Sequence, residues 1–400
     1  MAGLTLSVTA LISGCQDEGE KRSDKAVIDT KSAEAKIEVS VPDGTKDVSP
    51  ESVITVKALD GEIGTVTVAS EDGKRSVDGK VGDDKKVWSS QRNLAPKTTY
   101  KVTATARSKD GQESTSTTSF TTLTAKKVIG YTVTPDGWTV GAGMPVQVKF
   151  NAPITTPEAK AQIESQMSIT ASPSQPGSWG WTNDRTLLYR PQTYWTSGTK
   201  IEVKAPLAGT KIAPDTYLAE DNGAKLTIGT QRVLKVDLAA YSMTLIENGQ
   251  TVKSFAISGG RAGERFETRA GTKVIQDKHP DIVMDSSTFG VGKSDPEYYR
   301  TKVQWALRIT DSGEFLHSAP WSVGQQGKAN VSHGCVNMAP GDAEWLFGKA
   351  QYGDVVETVN SNYQLKPEQA GIPVWLWTWE EWQTKSAVNA VGSSEGPMKG

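Results

Sequence analysis

The sequence predicts a mainly β chain divided into several domains, two of them antiparallel sandwiches of immunoglobulin-like type. Three observations carry that reading. Short runs of Val, Thr and Ile recur through the first half with period-two alternation, Asp-Gly pairs separate them, and sustained helical periodicity is scarce. A chain of 400 residues has room for two or three domains with real cores. The net charge of −2, without any basic block, offers neither nucleic acid nor an anionic membrane surface an electrostatic handle.

Met1 to Gly14 is apolar and leads into Leu11-Ile12-Ser13-Gly14-Cys15, which resembles a bacterial lipobox, where a signal peptide is cut before a cysteine that receives lipid. The expectation is a lipidated Cys15 and a membrane attachment through that lipid alone, because a spanning helix needs about 20 apolar residues. No Lys or Arg precedes the run, although such leaders normally begin with positive charge. Residues 16–36 are charged and lack aromatics, and read as a disordered tether.

Residues 37–125 contain the runs IEVSV, VITVKA, TVTVAS, KVWSS, TYKVTATA and STTSFTT, punctuated by Asp43-Gly44, Asp60-Gly61, Asp72-Gly73 and Asp110-Gly111. They predict the first sandwich. Residues 126–230 predict a second, related to the first as a divergent repeat: Pro42-Asp43-Gly44 recurs as Pro135-Asp136-Gly137, and Trp88 as Trp181, both 93 residues on. Thr156-Pro157-Glu158 reads as a helix start with Pro at the first helical position, so a short helix is expected near 157–167. Trp138, Trp179, Trp181 and Trp195 offer a sugar-binding face or simple packing, and packing is the reading preferred in a sandwich.

A third domain spans 231–360. Asn248-Gly249 between alternating runs is a strong hairpin signal. The stretch from Met284 to Tyr299 is polar and Gly-containing with spaced aromatics, and reads as a long loop of the kind that forms lids. Pro340 to Lys349 reads as a short helix with Trp345, Leu346 and Phe347 on its apolar side, and Gly353-Asp354 turns the chain into the strand VVETV. Residues 361–384 bring Trp375, Trp377, Trp379 and Trp382 together. Four exposed tryptophans would be costly, so they are expected to dock on the preceding modules and set the third domain's orientation. Residues 385–400 read as disordered.

The chemistry concentrates between His317 and Asn337. One of the two cysteines and two of the three histidines fall there, in His317, fourteen residues, then Ser332-His333-Gly334-Cys335-Val336-Asn337. A free thiol is only a few per cent thiolate at neutral pH, and the thiolate is the nucleophile, so an imidazole that takes the proton is required. Gly334 lets backbone amides at 334 and 335 turn toward an oxygen that becomes negative during attack. The set suits acyl transfer. Two plainer readings compete: a small buried hydrophobe at Cys335, and a zinc site using His333 and Cys335, for which no Cys-x-x-Cys pair is available.

This motif resembles the signature of the L,D-transpeptidase family of bacterial peptidoglycan cross-linking enzymes, over roughly residues 230–384. The resemblance implies a β-sandwich catalytic domain. It assigns Cys335 as nucleophile, His317 as base, and Ser318 as the residue whose backbone carbonyl orients the imidazole. The amides of Gly334 and Cys335 would hold the oxyanion, and Ser332, His333 and Asn337 would line the pocket with Trp321 on the acceptor side. The 284–299 loop is similar to the family's flap, with Met284, Phe289 and Tyr299 as wall residues; Phe289 stands where Tyr is common, and Thr268-Arg269 where Thr-Pro is common, so Arg269 departs from the pattern. Implied partners are peptidoglycan tetrapeptide stems as donor and acceptor, and carbapenem-type β-lactams as covalent inhibitors. No metal or cofactor is implied. The expected reaction is 3-3 cross-linking with release of D-alanine, outside the cytoplasm, at a membrane-anchored enzyme in the cell wall or periplasmic space. The alternatives are a wall-binding lipoprotein without activity, and a carboxypeptidase or endopeptidase of stem peptides.

Overall fold

The computed structural model describes residues 35–392. The expectations for Cys15 and for nearly all of the tether lie outside the described residues.

The first module packs two four-stranded sheets face to face. One holds Ile37–Val39, Thr55–Ala58, Val87–Ser90 and Gly79–Val81, the other Thr45–Val48, Glu113–Thr122, Thr99–Arg107 and Glu62–Ser70. Alternate residues of these strands, among them Val56, Val68, Trp88, Val102, Ala104 and Phe120, fill one core. The period-two pattern thus selects the inner face. The second module repeats the two-sheet plan with Tyr131–Thr134, Val146–Phe150, Thr186–Pro191 and Gly177–Asn183 against Thr139–Val140, Asn222–Ile228, Lys200–Ala205 and Ser168–Ser172. A helix, Pro157–Gln166, interrupts it, and Thr156 caps the first turn by accepting the Ala159 amide.

The Pro-Asp-Gly turn is repeated between the modules. In both modules the Pro-Asp-Gly turn makes the same two bonds: Asp43 accepts from the Ser119 amide at 2.7 Å and Asp136 from the Lys225 amide at 2.8 Å. Gly44 and Gly137 donate to the carbonyls of those same partners. The tryptophan offset is a coincidence. Trp88 sits on the third strand of its sheet, whereas Trp181 sits on the fourth of the corresponding sheet, so they are not equivalent positions. Trp181 and Trp195 are core, Trp179 is half-buried against Tyr189, and Trp138 is 54% exposed beside Tyr352.

The third domain has nine strands, numbered here β1 Arg232–Asp237, β2 Ser242–Glu247, β3 Gln250–Ser258, β4 Gly271–Val274, β5 Asp277–Asp285, β6 Arg300–Arg308, β7 Phe315–Ser318, β8 Val336–Met338 and β9 Val355–Val359. Their order is 4-9-1-2-3-8-7-6-5. Strand β3 joins two halves: its body pairs with β2, while Ile257 and Ser258 pair with β8. Both halves fold over one core that includes Leu234, Val236, Phe255, Leu316 and Val356, together with Ala343 and Leu346 of the helix Pro340–Lys349. Trp345 and Phe347 lie to either side of that face, against Phe255 and Trp305. The β2–β3 hairpin turns at Asn248 and Gly249, both with positive φ, which an Asn-Gly pair tolerates.

The C-terminal tryptophans pack on the second module. Trp382 is fully buried with Leu188 and Val374, and its Nε1 donates to the Ser178 carbonyl at 3.0 Å. Trp375 Nε1 donates to the Gly143 carbonyl at 2.7 Å. The Arg190 guanidinium stacks between Trp375, Trp379 and Trp382 and donates to the carbonyls of Trp377 and Thr378. Residues 385–392 correct the expectation of disorder. The chain continues into a helix, Ala387–Gly392, whose start is fixed when the buried Glu164 carboxylate accepts from Ser386 Oγ and the Ala387 amide. That cap is supplied from a helix more than 200 residues earlier, so no local pattern announces it.

Candidate active site

Strands β7 and β8 lie parallel, with His317 opposite Asn337 and Leu316 opposite Val336. Residues two apart on a strand share a face, so Cys335, just before β8, points the same way as Asn337 and hence as His317. A cleft of about 260 Å³ opens there, lined by Cys335, His317, Ser332, His333, Asn337 and Trp321, and by Met284, Tyr299, Thr301 and Val303 of the neighbouring strands and loop.

Cys335 is a free, buried thiol, 7% exposed. It packs with Met284, Val303, Ala306 and Phe315, and its Sγ faces the Gly313 carbonyl at 3.6 Å. Burial pushes the thiol up to about 12, against a weaker opposing hydrogen bond from the Phe315 backbone. His317 is 4% exposed, and burial holds its imidazole down to about 4 despite the Ser318 carbonyl at 2.8 Å from Nδ1. The resting pair is therefore a neutral thiol and a neutral imidazole. A carbonyl can only accept, so Nδ1 carries the hydrogen and Nε2 keeps its lone pair for a proton.

The loop before Cys335 is held by its own polar groups. Ser332 Oγ donates to the Cys335 carbonyl at 2.5 Å and accepts from the Gly334 amide at 3.1 Å. This corrects the oxyanion expectation for Gly334, whose amide is turned to Ser332 in this structure. The residue must nonetheless be glycine, because its φ of +124° lies where side chains are strained. Thr268 Oγ1 ties the same loop by donating to the Gly334 carbonyl at 2.8 Å.

The other expected site residues divide by what they touch. Asn337 lines the cleft, but its Nδ2 donates to Ser322 Oγ at 3.0 Å, which makes it a support for the turn carrying Trp321. Trp321 is 56% exposed, with its ring 6.1 Å from that of His317. His333 leans on Phe266 and Tyr299, and its Nε2 meets Glu297, which also pairs with Arg261 at 2.7 Å. Ser318 contributes its carbonyl, and its side chain is buried. Met284 is both core and wall, and burial raises the Tyr299 hydroxyl. Part of the expected loop is ordered backbone: Met284 and Asp285 belong to β5, and Ser286–Phe289 is a 3-10 turn capped by Asp285. The expected role of the Phe289 side chain lies outside the described residues.

Two features escaped the sequence. A second cleft of about 310 Å³ lies across the wall made by Tyr299, His333 and Gly334, with Arg265, Arg269 and Glu314 on its far side. Lys273 and Glu314 form a buried ion pair at 2.5 Å beneath it. A lysine inside the strand Gly271–Val274, between Thr272 and Val274, was the only available signal. Among the described residues no group of three or more His, Cys, Asp or Glu is placed to hold a metal, and no helix is long and apolar enough to cross a membrane.

Comparison with known proteins agrees with this geometry. Residues 231–358 match the L,D-transpeptidase catalytic domain family, and residues 45–211 match the bacterial Ig domain family. The chain is 33% identical to L,D-transpeptidase 2 of Mycobacterium tuberculosis, over 88% of this chain and 85% of that protein. It is 31% identical to L,D-transpeptidase 5 of the same species, over 86% of this chain and 76% of the relative. Among solved structures, the LD transpeptidase LdtMt1 in complex with imipenem is 30% identical, with a TM-score of 0.50, covering 58% of this chain and all of that one.

Proposed function

The chain belongs to the L,D-transpeptidase family, and on that premise we propose that it joins two peptidoglycan stems through their third residues, with Cys335 as nucleophile and release of D-alanine. The observation that carries this reading is the shared cleft of a buried thiol and an imidazole already oriented by the Ser318 carbonyl.

In the first half-reaction, Sγ attacks the carbonyl carbon of the third stem residue while Nε2 of His317 takes the thiol proton. The amide C–N bond breaks, and the same proton leaves on the D-alanine amine. In the second, the side-chain amine of another stem attacks the thioester. His317 takes the amine proton and returns it to sulfur as the C–S bond breaks. The oxyanion is held by the Cys335 amide. One such donor contributes on the order of 3 kcal/mol in acyl-transfer sites. The neutral pair means that charge develops only as the substrate reacts.

Carbapenem β-lactams, which carry a strained acyl group, would acylate the same sulfur. LdtMt1, the relative solved with imipenem, supports that extension. A lipid at Cys15, a tether and two sandwiches in series would hold the catalytic domain away from the membrane and within the wall.

The test is intact-mass analysis after mixing with a tetrapeptide muropeptide ending in D-alanine, alongside Cys335→Ala. The expected result is an adduct equal to the stem minus D-alanine and a dimer linked through third residues, both absent from the variant. Hydrolysis without dimer would make the enzyme a carboxypeptidase. Retention of the stem without any adduct would leave a wall-binding protein.

A further inference from the structure

None of these steps uses the ion pair beneath the nucleophile. Lys273, on β4, and Glu314, just before β7, are both buried. Lys273 Nζ donates to Glu314 Oε2 at 2.5 Å and to the Arg269 carbonyl at 2.7 Å. The other carboxylate oxygen accepts from the Arg269 amide at 2.8 Å, a bond that a proline at 269 could not make. Glu314 follows Gly313, whose carbonyl faces Sγ, and Arg269 follows Thr268, whose hydroxyl holds the Gly334 carbonyl. The segment Thr268–Arg269 therefore grips the thiol from two sides: through Gly334 on the nucleophile's own loop, and through Glu314 on the loop that presents the facing carbonyl.

A buried ion pair is a poor device for stability alone, because apolar residues of similar volume serve as well. We propose that Glu314, clamped by Lys273 and the Arg269 amide, is a positioning residue for Cys335: it seats the Gly313 carbonyl against Sγ, while the paired charges balance the field at the thiol. The inference rests on Cys335 being the nucleophile, but its test does not depend on acyl transfer. A carboxylate beside the thiol opposes ionisation and an ammonium favours it, and both are felt at Cys335. The other titratable groups around the thiol are His317 from β7, Tyr299 from the loop before β6, and His333 from the nucleophile's own motif.

The experiment uses the full chain carrying Cys15→Ser, so that Cys335 is the one thiol, with Glu314→Gln, Lys273→Met and the double variant Lys273→Met/Glu314→Met, which also takes the acceptor from the Arg269 amide. Alkylation by iodoacetamide is followed against pH by intact mass, and the S–H stretch of Cys335 by infrared. Glu314→Gln is expected to speed alkylation at pH 7.5 by about fivefold or more, Lys273→Met to slow it by a similar factor, and the double variant to return within about twofold of the parent. Shifts of the same sign, or none, in the folded single variants would overturn the electrostatic balance. Removing one charge strands the other and can unfold the protein, so the double variant, judged folded by its melting transition, decides the positioning. Its S–H band is expected to move toward that of an unbonded thiol. An unchanged band sinks the proposal, whether or not the enzyme cross-links stems.

Discussion

His317 Nδ1 lies 2.8 Å from the carbonyl of Ser318, its own neighbour, so the imidazole is oriented by one peptide group rather than by a third side chain. Replacing the imidazole should therefore be severe, and replacing the serine mild. His317→Gln is expected to slow acylation by about 10²- to 10⁴-fold. Ser318→Ala, which keeps the carbonyl, should stay within about threefold, because what orients His317 is main chain. Single-turnover acyl-enzyme formation followed by mass checks both.

The neutral resting pair gives a distinctive pH dependence. With the thiol at about 12 and the imidazole at about 4, Cys335 alkylation should climb steadily with pH above 8, without the neutral-pH plateau of a thiolate–imidazolium pair. The iodoacetamide rate between pH 5 and 10 measures it, and a plateau between 6 and 8 would contradict the neutral pair.

The same two groups bear on stability. The unfolded imidazole, at 6.5, binds a proton that the folded one refuses until about 4, so stability is complete above 6.5 and is lost as pH falls toward 4. The unfolded thiol ionises at 9, before the folded one at about 12, so stability also declines as pH rises through that window. Urea unfolding across pH should show both slopes. His317→Gln should remove the acid contribution of this residue and Cys335→Ser the alkaline one.

Gly334→Ala should damage the site more than the fold. The added methyl would meet nothing closer than the Phe266 carbonyl at 3.7 Å, so the cost comes from the +124° φ, about 1–3 kcal/mol. If the loop relaxes, the Ser332 bonds to Gly334 and Cys335 are lost. The expected outcome is a modest drop in melting temperature with acylation reduced at least about tenfold.

Trp382→Ala removes a fully buried ring that joins the C-terminal segment to the second module. Truncations of this kind cost about 3–5 kcal/mol. Thermal unfolding should show that loss, with early proteolysis in 361–392 if the segment detaches. Proteolysis confined to the catalytic core would argue against the docking role.

Much of the architecture was legible because strand alternation and turn chemistry are local. IEVSV and TYKVTATA announce an inner face by period two, Asn248-Gly249 announces its hairpin, and Thr156-Pro157 announces a helix that forms within one residue of the expected end. What failed was longer in range. The Trp88–Trp181 offset matched in number yet placed the two rings on different strands, because sheet order is set by pairing and not by spacing. The helix Ala387–Gly392 lies in a sequence that reads as unstructured, and its start is fixed by Glu164.

The candidate nucleophile Cys335 and candidate base His317 stood out by residue type and spacing, since few side chains can do this chemistry and the motif gathers them in 21 positions. That much the sequence determined by itself, together with the mainly β class and the family. Protonation states and partners were decided by tertiary structure. Whether the thiol rests neutral depends on how much water the fold removes from it. Whether the Gly334 amide faces substrate or Ser332 depends on one loop's torsions, and the link from Glu314 to the thiol runs through β4, β7 and the Thr268–Arg269 segment. Solvation and hydrogen bonding are properties of neighbours in space, and a strand pattern names only neighbours in chain.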